Sequence, residues 1–125
     1  MINTKNISTK IFFEEARKEI TISNERKQLL TKIAQLIISE YKDREKINLN
    51  FICTHNSRRS QFAQVWSFFA VEYFNLKNIF TYSGGTEVTA FFRNTVKTLQ
   101  KVGFSFQLAD FSHQNPKYII SFEGT

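Results

Sequence analysis

The sequence contains few residues of the types that cross-link a chain or interrupt its helices and strands. It has one cysteine, so no disulfide can form within the chain. It has one proline and four glycines among 125 residues, so each of these is expected to mark a boundary between elements. Internal repeats and low-complexity segments are missing too. The length fits one domain with a modest core.

Long apolar runs are also missing. No segment approaches the roughly 20 apolar residues of a membrane-spanning helix. The first residues lack the apolar stretch of a signal peptide. We therefore expect a cytoplasmic protein without membrane contact, whose lone thiol stays reduced. The two histidines and the cysteine are far apart and match no metal-site spacing, so neither a metal nor a cofactor is expected.

Positive charge is in excess, with a formal net charge of +6 and a pI of about 9.6. Such a balance suits anionic partners, namely nucleic acid, acidic membranes or phosphorylated substrates. No Lys/Arg run exceeds two residues, which makes nucleic acid a weaker expectation and leaves a solvated basic surface as the alternative.

Phenylalanine is abundant, and several of the 14 occur in pairs: Phe12-Phe13, Phe68-Phe69 and Phe91-Phe92. One amphipathic helix cannot turn both rings of a pair into the same core. Some of these rings must therefore pack on a second element or on a partner.

Hydrophobic periodicity predicts four helices and three strands. The helices are 8–19, 24–42, Ser60–Phe74 and 90–102, and the strands are Ile47–Ile52, Asn78–Tyr82 and Tyr118–Phe122. Ser8 and Ser23 are predicted N-caps of the first two helices, and Gly103 ends the fourth. The second helix carries one apolar stripe, formed by Leu29, Leu30, Ile33, Leu36, Ile37 and Tyr41.

The order of these elements predicts an α/β fold, a parallel sheet flanked by helices. Residues 1–46 are predicted to be a helical extension packed on the domain, and residues 47–125 to be the α/β domain itself. Turns are predicted at Ser83–Thr86 and at Asn115-Pro116.

The segment with the clearest chemistry runs from Cys53 to Ser60, between a predicted strand and a predicted helix. A cysteine facing a helix N-terminus is stabilised as the nucleophilic thiolate by the helix dipole and by free N–H groups. Ser60 could donate a hydrogen bond to the same sulfur. The five residues after Cys53 let the backbone N–H groups curl inward around an anion. The planar guanidinium group of Arg59 can donate hydrogen bonds to two oxygens of a tetrahedral oxyanion.

This Cys-x5-Arg-Ser pattern after an apolar strand resembles the low-molecular-weight protein tyrosine phosphatases, whose loop reads Cys-x-Gly-Asn-x-Cys-Arg-Ser. The related arsenate reductases, with Cys-Thr-Gly-Asn-Ser-Cys-Arg-Ser-Gln, are closer still to the segment Cys53–Gln61. The turn Ser83-Gly84-Gly85-Thr86 resembles the family's Ser-Ala-Gly-Thr turn. The resemblance covers about residues 47–122 and implies that three of the family's strands are present.

The resemblance also implies roles for individual residues. Cys53 would be the nucleophile, with Arg59 and Ser60 as its catalytic partners. Ser83 would support Asn56 within the loop. The substrate-binding loop would comprise Thr54, His55, Asn56, Ser57 and Arg58.

Three departures from the family pattern bear on activity. His55 stands where the family has glycine, and Arg58 where it has a second cysteine. The family's general acid lies in an Asp-Pro motif beyond the third strand, and this sequence has no Asp-Pro. Neither Asp43 nor Asp110 matches that place; Asp110 is expected to be a connecting residue. His113, the other residue whose side chain could take part in catalysis, is expected to have a surface or turn role.

The missing Asp-Pro leads us to expect a C-terminally truncated domain, weak or inactive as an enzyme. The expected activity is hydrolysis of phosphate monoesters such as phosphotyrosine, through a cysteinyl-phosphate. One alternative is an arsenate reductase that uses an external thiol, since the chain has no second cysteine. Another is a non-catalytic module that binds anions or nucleic acid. The expected partner is a phosphorylated protein, phosphate or arsenate, and an unfinished sheet could pair its edge in an oligomer.

Overall fold

A computed structural model of the chain describes residues 8–54, 58–86, 93–110 and 117–122. It is an α/β protein with four helices and two small sheets among these residues. The helices are α1 (Thr9–Glu19), α2 (Asn24–Asp43), α3 (Arg59–Tyr73) and α4 (Arg93–Lys101), and the strands are β1 (Ile47–Cys53), β2 (Ile79–Gly85), β3 (Ser105–Asp110) and β4 (Lys117–Ser121).

Both predicted N-caps are confirmed. The Ser8 hydroxyl accepts a hydrogen bond from the Ile11 N–H at 3.2 Å at the start of α1. The Ser23 hydroxyl accepts one from the Arg26 N–H, also at 3.2 Å, at the start of α2. Each bond satisfies one of the N–H groups that a first helical turn leaves without a partner, which is why the sequence signal was reliable here.

The unit that carries the candidate site is β1–α3–β2. β1 and β2 pair in parallel, in register from Ile47 opposite Ile79 to Cys53 opposite Gly85. A parallel pair needs a crossover connection, which α3 provides by packing on both strands. Because the two strands run in the same direction, their last residues, Cys53 and Gly85, lie side by side at one end of the sheet.

The predicted third strand is present but does not extend the parallel sheet. β4 pairs antiparallel with β3, a strand that the sequence analysis did not predict, and the two form a second sheet. The expectation of three parallel strands is therefore wrong for the described residues. Only residues 111–116 separate β3 from β4. That length suits an antiparallel connection and is too short for a parallel crossover.

The core lies where α3 meets α4 and the second sheet. Its buried side chains are Val65, Phe69, Leu99 and Phe104, surrounded by half-buried apolar residues of α1, α3 and β3–β4. The Trp66 and Phe104 rings meet edge to face with centroids 5.2 Å apart, an arrangement that aromatic pairs favour. α3 thus supplies both the centre of the core and one side of the candidate site.

The pair Phe12-Phe13 packs on a second element, as predicted. The Phe13 ring of α1 lies 5.0 Å from the Phe69 ring of α3, and the Phe12 ring lies 5.8 Å from the Trp66 ring. These contacts attach α1 to the core. Phe91 and Phe92 are outside the described residues.

The apolar stripe of α2 is largely uncovered. Leu29, Leu30 and Ile33 are each 44–49% exposed, and Leu36 is 68% exposed. The helix is attached near its C-terminal end, where the Tyr41 hydroxyl donates to the Lys77 carbonyl at 2.6 Å. Among the described helices, even α2 with its 20 residues lacks the apolar run that crossing a bilayer requires.

Candidate active site

The candidate site lies where β1 ends and α3 begins. Cys53 is the last residue of β1, and Arg59 is the first residue of α3. Thr54 and Arg58 at the two ends of the connecting segment are exposed. The predicted binding residues His55, Asn56 and Ser57 lie outside the described residues.

Cys53 and Ser60 are in direct contact. The thiol of Cys53, which is half-buried, donates to the Ser60 hydroxyl oxygen, with Sγ and Oγ 3.1 Å apart. Ser60 itself is buried, with 3% of its surface exposed. When the thiol loses its proton, the same pair can reverse direction, and the hydroxyl then donates to the sulfur anion. Hydrogen bonds to an anion are stronger than neutral ones, so this contact favours the thiolate.

Positive charge is concentrated at the same end of α3. Arg58 is its N-cap residue, and Arg59 opens its first turn. Both residues are exposed. No acidic residue occurs in that first turn, so two guanidinium groups and the positive end of the helix dipole add together. An anion would therefore be favoured next to Cys53.

Ser83 is held by α3. Its hydroxyl donates to Gln64 Oε1 at 2.6 Å, and Gln64 Nε2 in turn donates to the Thr81 carbonyl at 3.1 Å. The predicted partner of Ser83 was Asn56, which lies outside the described residues, so that role stays a prediction. The observed contact ties β2 to the helix that carries Ser60 and Arg59.

Gln64 was not predicted from the sequence as a residue of the site. A signal was nevertheless present, because Gln64 is four residues after Ser60 and so lies on the same face of α3. A polar residue on the sheet-facing side of that helix requires a partner. Ser83 and Thr81 on the neighbouring strand provide it.

The predicted turn Ser83–Thr86 is wrong for its first three residues, because β2 extends to Gly85. Thr86, directly after β2, contacts the segment that follows β1. The Thr86 hydroxyl donates to the Thr54 carbonyl at 3.2 Å. Cys53 also lies opposite Gly85 in the strand register. The two segments that the sequence singled out, 53–60 and 83–86, are therefore adjacent at one end of the parallel pair.

The remaining candidates from the sequence are Asp43, Asp110 and His113. Asp43 ends α2 and Asp110 ends β3, so Asp110 lies within a strand rather than in a connection as expected. His113 is outside the described residues. Within the described part of the chain, no three His, Cys, Asp or Glu side chains come together as a metal site would require.

The sequence matches no protein-family model, and it has no significant similarity to a curated protein or to a solved structure. Any functional conclusion must therefore be based on the site itself.

Proposed function

We propose that this chain is a cysteine-dependent phosphatase of the low-molecular-weight type that acts on phosphate monoesters. The observation that carries the proposal is the 3.1 Å contact between Cys53 Sγ and Ser60 Oγ at the start of α3. The thiol contacts a buried hydroxyl at the start of a helix that begins with two arginines. Such surroundings can make a cysteine nucleophilic. The motif resemblance supports the same chemistry.

In the proposed reaction the Cys53 thiolate attacks phosphorus and the P–O bond to the leaving group breaks. The leaving oxygen departs with the electron pair, and a cysteinyl-phosphate remains. Water then attacks that phosphorus, which releases phosphate and restores the thiolate. The planar guanidinium group of Arg59 donates hydrogen bonds to two of the phosphoryl oxygens, and Ser60 stabilises the sulfur anion in both steps.

The sequence contains no Asp-Pro, the motif that carries the general acid in the phosphatases it resembles, and this affects which esters could be hydrolysed. General acid catalysis is typically worth roughly 10²–10⁴-fold in rate. We propose that no general acid protonates the leaving group. Esters of acidic phenols are then the favoured substrates, because their oxygen departs without a proton. We propose slow, Cys53-dependent turnover of p-nitrophenyl phosphate and far slower turnover of an alkyl phosphate.

The test is p-nitrophenyl phosphate hydrolysis by the full chain and by three variants. Cys53→Ser should abolish turnover. Arg59→Ala should reduce it by roughly 10²–10³-fold, as removal of a transition-state donor does. Arg26→Ala, at an exposed arginine of α2, should leave it unchanged and controls for the loss of one positive charge. Turnover that survives in Cys53→Ser, or no turnover by the unaltered chain, contradicts the proposal.

Two other outcomes would assign the site differently. Arsenate consumption with added glutathione, in the absence of phosphate ester turnover, would identify a reductase that uses an external thiol. Nucleic-acid binding with a steep salt dependence, unaffected by Arg59→Ala, would identify a binding module instead.

A further inference from the structure

An apolar groove lies between α1 and α3, on residues that the proposed catalysis does not use. Its volume is about 480 Å³, within the range of small-molecule sites. Its apolar lining comes from α1, the segment that follows it, and α3: Phe12, Phe13, Ala16, Ile20, Ile22 and Trp66. Ile20 is 64% exposed and Ile22 is 39% exposed, so apolar surface of the groove wall faces water.

Among the described residues that line this groove, Arg17 alone has a charged side chain. Its guanidinium carbon lies 5.7 Å from the centre of the Phe13 ring and 5.6 Å from that of Phe74. These rings orient the guanidinium through cation–π contacts but do not neutralise its charge. Within the described part of the chain, no carboxylate lies within ion-pair distance of Arg17.

The nearby acidic residues are engaged elsewhere. Glu14, one helical turn before Arg17, accepts a hydrogen bond from the Tyr73 hydroxyl at 3.1 Å. Glu15 lies 3.8 Å from Lys18 in an ion pair. An apolar wall with one oriented cation at its side is complementary to a ligand with an apolar chain and a single negative charge.

We propose that this groove binds an aliphatic carboxylate, with the chain against Phe12, Ile20 and Trp66 and the carboxylate on Arg17. The guanidinium fork matches the two oxygens of a carboxylate. One cation balances one charge, which favours a carboxylate over a doubly charged phosphate ester. Burial of the chain covers the apolar wall that water now contacts.

The experiment measures binding of decanoate, decanol and decylamine to the full chain by calorimetry, below their aggregation concentrations. Trp66 is the only tryptophan, so its fluorescence reports whether the groove is the site. We expect saturable binding of decanoate with a change in that fluorescence. The expected order of affinity is decanoate, then decanol, then decylamine.

Three variants sharpen the test. Arg17→Gln should weaken decanoate binding about two- to five-fold, the range for an ion pair with an exposed arginine, and should leave decanol unchanged. Arg26→Gln removes the same charge elsewhere and should change neither. Ala16→Leu keeps a good helix former but fills the groove, so it should weaken both ligands. Circular dichroism verifies that each variant is folded.

Several results would overturn the proposal. Equal affinity for decanoate and decylamine would contradict the role of Arg17, as would an equal loss in Arg26→Gln. Undiminished binding by a folded Ala16→Leu variant would locate the ligand elsewhere. If none of the three ligands binds and light scattering shows a dimer, a second copy of the chain covers the groove and the proposed ligand is wrong.

Discussion

At the scale of single residues, we expect the contact between Cys53 and Ser60 to control the reactivity of the Cys53 thiol. We predict that Ser60→Ala slows the reaction of Cys53 with iodoacetamide at pH 7 by several-fold. The variant removes a hydroxyl that stabilises the sulfur anion, so less thiolate is present. Because Cys53 is the only cysteine, intact mass reports its modification without ambiguity.

The matched control is Ser67→Ala, at a half-buried serine in the same helix. It should leave the alkylation rate unchanged. If both variants react as fast as the unaltered chain, the Ser60 hydroxyl does not stabilise the thiolate.

The residues of the candidate site also differ in how well their contacts could be predicted from the sequence. The contact of Ser60 with Cys53 was predicted, because both residues lie in one continuous segment. The predicted donor was Ser60, whereas in the structure the neutral thiol donates. The partner of Ser83 could not be predicted in the same way. Gln64 reaches it across 19 residues of sequence, and such a contact depends on how α3 lies on the sheet.

At the scale of elements, α4 is followed by a residue whose backbone needs a positive φ. Gly103 follows the helix with a φ of 103°, a conformation that residues with a side chain rarely adopt. We predict that Gly103→Ala lowers the free energy of unfolding by about 1 kcal/mol or more. Gly84→Ala is the control, since an added Cβ there meets no atom closer than 3.8 Å. Urea denaturation measures both, and equal small effects would contradict the prediction.

The helices differ strongly in how their apolar residues are used. Leu99 of α4 is fully buried, with 0% of its surface exposed, whereas Leu36 of α2 is 68% exposed. We predict that Leu99→Ala lowers the free energy of unfolding by about 2–5 kcal/mol, because it removes buried contacts and leaves a cavity. Leu36→Ala should change it by less than about 0.5 kcal/mol. Thermal unfolding compares the stability of the two variants. A large loss of stability in Leu36→Ala would mean that the apolar stripe of α2 is covered in solution.

Helices were predicted better than strand pairings, and the reason is physical. α1 and α2 carry local signals, an N-cap serine and a 3.6-residue period, that identify them without their surroundings. β3 is six residues long, and its stability comes from pairing with β4. That pairing is non-local, so the sequence of β3 alone carried too weak a signal. The parallel pairing of β1 with β2 was predicted because a long helix must lie between them.

At the scale of the whole molecule, the proposed activity depends on three elements meeting at one edge of a sheet. β1 presents Cys53, and α3 presents Ser60 and Arg59. Thr86, directly after β2, donates a hydrogen bond to the Thr54 carbonyl. The contact between Ser83 and Gln64 fixes β2 to α3. The proposed anion binding next to Cys53 therefore depends on the assembled fold and should vanish when the chain is unfolded.

The most direct test is the rate of Cys53 alkylation by iodoacetamide, followed by intact mass at several pH values with and without phosphate. We predict fast reaction already near neutral pH, saturable protection by phosphate, and loss of that protection in Arg59→Ala but not in Arg26→Ala. A rate that rises only towards the ordinary thiol pKa of about 8.5, and that phosphate does not change, would contradict an activated thiolate in an anion-binding loop.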